Sequence, residues 1–251
     1  MHRRERPPKK SGSKEMPVSE HLAEFRLRLL VALAAYVIAA CIAGAFYTRE
    51  LGLLQHPYCQ IEPHHCGLYV TGPLDPLTLR VKLAAFGGLV LASPVILWEF
   101  WRFITPGLRQ HEKRYAVPFC AFAAVFFALG CLTAYLTFPH TLRWLIGVGG
   151  PSLHTLLNPN GYLSLILLLM FLFGLAFEFP VVLIALELAG VVSPARLLRS
   201  WRWAVLGITV FAAVLTPSSD PFSMLALLVP LVVFYFMAIG VGKAGLRMRR
   251  A

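Results

Sequence analysis

The chain alternates between long apolar runs and short polar, charged or Gly/Pro-rich breaks. Six apolar segments stand out: Leu29–Tyr47, Leu83–Ile104, Tyr115–Phe138, Tyr162–Val192, Trp203–Leu215 and Phe222–Val241. A helix needs about 20 apolar residues to cross a hydrocarbon core ~30 Å thick. The fifth segment has only about 13, enough for roughly 20 Å. It joins the sixth through "TPSSDP", a turn rich in Pro, Ser and Asp. Two readings stay open for this pair. It is either a re-entrant hairpin that never crosses, or two short spans that thin the bilayer locally. Both return the chain to the side it left. The pattern therefore predicts an all-α, polytopic membrane protein with six transmembrane helices, the last two short.

Ahead of the first segment, "SEHLAEFRLRLL" repeats Leu22, Phe25, Leu29 and Leu30 at helical spacing, with His21, Glu24 and Arg28 on another face. This predicts an amphipathic helix at the membrane interface, N-capped by Ser19 and leading into the first span. The long apolar run after it reads as a retained span and not as a cleavable signal peptide. Residues 1–18 are basic and rich in Pro and Ser, so they are expected to form a disordered tail. Residues 19–242 are expected to form the membrane domain, and 243–251 a basic cytoplasmic tail. No internal repeat is evident.

Composition narrows the class. Of 251 residues, 58% are hydrophobic and 14% charged, where soluble domains carry about a quarter charged. Mean hydropathy is +0.69. The net charge of +11 invites a nucleic-acid reading, but its distribution argues against one. Nineteen of the 23 Lys and Arg residues fall on one side of the six-segment topology: the N-terminal tail, "WRFITPGLRQHEKR", "SPARLLRSWR" and the C-terminal tail. Arg49, Arg80, Lys82 and Arg143 fall on the other. The positive-inside bias then puts both termini in the cytoplasm.

Acidic residues inside such a chain are the candidate chemistry. Glu24 lies four residues before Arg28, which makes it either half of a surface ion pair or an acceptor for a cationic ligand. Glu112, among Arg109, Lys113 and Arg114, carries the same two readings. Two such carboxylates on one membrane side could take two guanidinium groups. Glu178 stands in "LFGLAFEFPVV", where burying a lone carboxylate costs several kcal/mol or more. It either lines a wet or partner-covered concave face, or is a neutral acid bonded to a carbonyl that Pro180 leaves free. Glu99 is expected to pair with Arg102 at i, i+3, and Glu187 to lie near the interface. Cys41, Cys120 and Cys131 read as small packing residues within spans. Cys59 and Cys66, in the outer loop "HPYCQIEPHHCG", form a disulfide, a metal site with His64 and His65, or remain two thiols. The serines Ser164, Ser218 and Ser219 have no base placed nearby within a span, and no H-E-x-x-H or P-loop occurs, so an intramembrane enzyme is not expected.

Four stretches together, "HLAEFRLRLL", "SPVILWEFWRFITPGLRQHEKR", "GYLSLILLLMFLFGLAFEFPVV" and "LTPSSDPFSMLALLVPL", resemble TatC, the multispanning component of the twin-arginine protein translocase. The resemblance covers about 220 residues in order. It implies six spans with cytoplasmic termini in a bacterial cytoplasmic membrane, and no cofactor. It also implies a receptor for arginine-pair signal peptides of folded cargo, self-associating and working with TatA/TatB-type single-span partners on the proton-motive force. Glu24 and Glu112 match the family's acidic recognition positions, Arg26 and Arg114 basic positions beside them, and Phe103 and Pro94 its second-helix motif. Pro57 matches a proline of the first outer loop, Tyr135 an aromatic of the third helix, Glu178 the intramembrane glutamate, and Asp220 an acid of the last outer turn. The chain departs from the pattern at Phe236 and Met224, where many members carry Glu and Gln in the region of partner docking. From the residues alone the competing function is a small proton-coupled secondary transporter using Glu178, although transporters of that kind often show two related halves.

Overall fold

Prolines and polar caps set most of the helix boundaries. The structure, a computed structural model, describes residues 18–61, 67, 69–70, 72–104, 116–148, 158–188, 190–216 and 220–248. Their elements are α1 Val18–Ala45, α2 Tyr47–Cys59, α3 Asp75–Ile104, α4 Ala116–Val148, α5 Pro159–Phe177, α6 Phe179–Leu188, α7 Pro194–Arg199, α8 Trp201–Leu215 and α9 Pro221–Met248. No strand occurs among the described residues. Asn158 caps α5, its side chain accepting from the Asn160 N–H at 2.8 Å with Pro159 following. Ser193 caps α7 in the same way.

Five helical stretches are long and apolar enough to span: Leu22–Ala45, Asp75–Phe103, Val117–Val148, Pro159–Glu187 and Pro221–Ala244. The short apolar helix α8 is the fifth segment of the sequence pattern. Its 15 residues rise roughly 22 Å. The sixth apolar run, in contrast, becomes the 28-residue α9, because the helix continues past Gly242 to Met248. The expected interfacial helix and first span are one continuous α1. That helix already starts at Val18, so Ser19, the expected N-cap, stands inside its first turn. The fourth segment breaks into α5 and α6 at Glu178. Pro180 has no N–H to give to the preceding turn, so the ladder fails there and the Glu178 N–H falls back on Leu175 O at 3.2 Å.

The helices run back and forth between two ends of the bundle. The start of α1, the end of α3 and the end of α9 share one, called here the tail end. α2, the start of α3 and the start of α5 share the other, the loop end. α1 and α3 pack antiparallel along a seam of small residues. A Cβ on Gly88 would stand 2.6 Å from Ala40 Cα, and one on Gly87 2.9 Å from Ala43 Cβ. In a membrane, where lipid is as apolar as the helix surface, such close backbone approach drives helix association. Gly174 of α5 lies against Phe127 of α4 in the same way. The buried core gathers where α4, α5 and α9 meet, around Phe138, Ile166, Phe173, Leu227 and Tyr235. Many Leu, Val and Phe side chains on the outer faces remain exposed, as a lipid-facing surface requires.

Several polar groups inside this bundle are satisfied locally. Pro94 leaves the Val90 carbonyl without its helical partner, and Ser93 Oγ donates to that oxygen at 2.8 Å. At the loop end, Asn160 links α5 to α3. Its Nδ2 donates to Asp75 Oδ1 at 2.6 Å, while its Oδ1 accepts from Thr78 Oγ1 at 3.0 Å and Lys82 Nζ at 3.3 Å. Lys82 also donates to Ser164 Oγ at 2.7 Å.

Candidate recognition site

At the tail end, the first turns of α1 and the last turns of α3 form a slot with carboxylates on both walls. Glu24 and Arg28 share one face of α1 because four residues complete about one helical turn. Arg28 Nε donates to Glu24 Oε1 at 3.1 Å, and its Nη2 reaches the same oxygen. Across the slot, Arg28 Nη1 donates to Glu99 Oε2 of α3 at 3.3 Å. The expected Glu99–Arg102 pair is not what forms. The antiparallel crossing carries Arg28 into reach of Glu99, while Arg102 is exposed and keeps its charge out of the bundle.

The three charged side chains are partly shielded, at 16% exposure for Arg28, 24% for Glu24 and 13% for Glu99. Shielding limits the screening that makes fully exposed pairs weak. Phe25 and Phe103 close the slot with ring centroids 5.2 Å apart. A cavity of about 120 Å³ opens beside them, lined by Arg28, Glu99 and Phe100 among others. Arg26 is exposed on α1. Glu112 and Arg114 lie outside the described residues. The structure thus brings Glu24 and Phe103 together and adds Arg28 and Glu99, to which the sequence reading gave no shared role. The signal available for them was position: Arg28 lies in the first turns of α1 and Glu99 in the last turns of α3, at the same end of an antiparallel pair.

A model of the family described as Sec-independent protein translocase protein (TatC) matches residues 20–230. The chain belongs to the TatC family. It is 42% identical over 239 residues to the Sec-independent protein translocase protein TatC of Frankia casuarinae, a match covering 90% of this chain and 65% of that relative. It is 35% identical over 238 residues to the Aquifex aeolicus TatC, covering 94% and 98%. Its fold is similar to a crystal structure of the twin arginine translocase receptor TatC in the detergent DDM, with a TM-score of 0.74 and 34% identity over 88% of this chain and 99% of that one. It is accordingly a multi-pass membrane component of a protein translocase, in a family that is not enzymatic.

The other positions matched to TatC lie apart from the slot. Pro57 is buried within α2, and Tyr135 OH of α4 donates to Leu53 O of α2 at 2.9 Å. Asp220, 1% exposed, precedes α9 and accepts from the Ser223 N–H at 2.8 Å and from Thr141 Oγ1 of α4 at 3.2 Å. This is helix-cap geometry, with a second tie across the bundle. Glu178 Oε1 is buried with no hydrogen-bond partner among the described residues, so that oxygen makes no bond to the carbonyl Pro180 leaves free. Both Glu187 oxygens are in the same condition beside Gly242. Phe236 is exposed on α9 with its ring centroid 6.4 Å from that of Trp201, and Met224 packs against the core. Cys59 is disulfide-bonded, Cys41, Cys120 and Cys131 are free thiols, and Cys66 lies outside the described residues.

Proposed function

We propose that this chain is the receptor and core subunit of a twin-arginine translocase in a bacterial cytoplasmic membrane, with both termini cytoplasmic. It binds arginine-pair signal peptides of folded proteins at its tail end and holds TatA/TatB-type single-span partners for export driven by the proton-motive force. The observation that carries the reading is the convergence of Glu24 and Glu99, from two helices, on one guanidinium group in an aromatic-lined slot. Carboxylates placed this way accept arginine in preference to lysine, because the planar fork satisfies both geometry and charge. Glu112 supplies a further acceptor in this reading, with Arg26 and Arg114 flanking. The reading also puts Cys59 on the oxidising side of the membrane, where its disulfide is stable. Family membership favours it over a proton-coupled transporter built on Glu178.

The test is the affinity of a fluorescent arginine-pair peptide for the full chain in nanodiscs. Glu24→Ala is expected to weaken binding roughly 5- to 100-fold, the loss of one charge-assisted pair. Unchanged affinity in the Glu24→Ala, Glu112→Ala double variant would sink the assignment.

A further inference from the structure

The acceptor slot already contains a guanidinium group, and it belongs to the chain itself. Arg28 donates through Nε and Nη2 to one oxygen of Glu24 and through Nη1 to one oxygen of Glu99. These bonds use Glu24 Oε1 and Glu99 Oε2, whereas a fork-to-fork guanidinium–carboxylate pair uses both oxygens of the acid. Two carboxylates around one arginine leave a formal charge of −1 in the slot. Arg26 and Arg102, the exposed cations beside it, form no ion pair among the described residues. The internal occupant is thus chemically the same as the proposed ligand, incompletely bonded, and poised to be exchanged.

We propose that Arg28 is a built-in occupant of the recognition site, and that Glu99 is the second carboxylate, with Glu24, which an incoming arginine takes over as it displaces Arg28. The inference rests on the recognition reading above and adds a specificity-determining residue and a competitor to it. In the resting state Arg28 keeps two like charges from facing each other across the α1–α3 seam. An incoming lysine cannot repeat the three-nitrogen bridge and displaces Arg28 poorly. An arginine can, and the −1 charge draws in its neighbour in the pair. Arg28 thereby sets a threshold that a single stray cation does not cross.

The experiment compares the nanodisc-embedded parent with Arg28→Gln, Arg28→Lys and Glu99→Gln, using two synthetic peptides that differ only in an arginine or a lysine pair. A competitor that fills the site nine-tenths of the time weakens apparent affinity about tenfold. Arg28→Gln is therefore expected to bind the arginine-pair peptide about tenfold more tightly, with a smaller gain for the lysine-pair peptide. Glu99→Gln is expected to weaken arginine-pair binding. Equal gains for both peptides would show only a more negative surface and overturn the inference, as would no gain at all. If Arg28→Gln fails to insert, Arg28→Lys decides: a smaller gain specific to arginine supports the inference and none overturns it. A parent that does not prefer the arginine-pair peptide overturns the recognition reading, and the inference with it. A parent that prefers it, with no gain in the Arg28 variants, overturns only the inference.

Discussion

Tyr135 stands in for the backbone N–H that Pro57 lacks. In an unbroken helix the Leu53 carbonyl would accept from residue 57, but that residue is proline, and the hydroxyl of Tyr135 donates to the same oxygen at 2.9 Å from across the bundle. The two positions are therefore coupled, and a double-mutant cycle reads the coupling. Tyr135→Phe is expected to cost about 1 kcal/mol in the parent, because it leaves a carbonyl unpaired. In a Pro57→Ala background, where the helix supplies its own donor, the same change is expected to cost less. Thermal unfolding in detergent checks this, and equal costs in both backgrounds would show that the two residues act separately.

Asp220 joins the start of α9 to α4 through Ser223 and Thr141. Asp220→Ala removes a helix cap and a buried acceptor together, with an expected loss of about 2–4 kcal/mol. Asp220→Asn keeps an acceptor oxygen and is expected to cost less than half of that. A proteolysis midpoint or melting temperature distinguishes the two. If Asp220→Ala is as stable as the parent, the cap does not hold α9.

Glu50, on α2 outside the spanning segments, points at Gly87 of α3, and burial pushes its carboxyl above the usual carboxylate range. A raised carboxylate favours the fold while it is protonated. The contribution is full below the unfolded value and is lost as pH rises through the folded one. Glu50→Gln is therefore expected to raise the melting temperature relative to the parent more at neutral pH than near pH 4. A pH-independent difference between the two proteins would refute the burial effect.

Substitutions at Glu178 are expected to separate function from stability. Its Oε1 is buried without a partner among the described residues, which costs stability. Glu178→Leu is then expected to leave the folded protein as stable as the parent or more so, while export of an arginine-pair reporter falls. Normal export in both Glu178→Gln and Glu178→Leu would mean that the carboxylate is a tolerated core acid.

The spanning helices were legible in the sequence because each is written in its own residues: apolar length, Pro and Gly breaks, and polar flanks; the short α2 and α7 fall in stretches that read as loops. Pro180, the local cause of the break at Glu178, was legible too, although the break falls inside Tyr162–Val192, which the pattern reads as one segment. The contacts that build the slot were not legible. Glu99 sits three residues from Arg102 and 71 from Arg28, and local spacing favours the nearer partner. Only the small-residue seam along Ala40 and Gly88, which sets how α1 and α3 cross, decides for the distant one. The same holds for Tyr135 and Pro57, each visible as an unusual residue but joined only by the packing of α4 on α2. Glu112 and Arg114 lie outside the described residues, so their place in the site rests on the sequence reading.

The Asn160 network at the loop end depends on an amide that chemistry can change. The side-chain amide is the donor in its 2.6 Å contact with Asp75, and the next residue is Gly161, whose missing side chain leaves the following peptide nitrogen open to attack that amide. Hydrolysis would replace the donor with a carboxylate facing the Asp75 carboxylate, two acceptors of like charge where a bond had been. Lys82 would then have to serve both acids. The contact between α3 and α5 thus depends on residue 160 remaining an amide, donor to one helix partner and acceptor from two others.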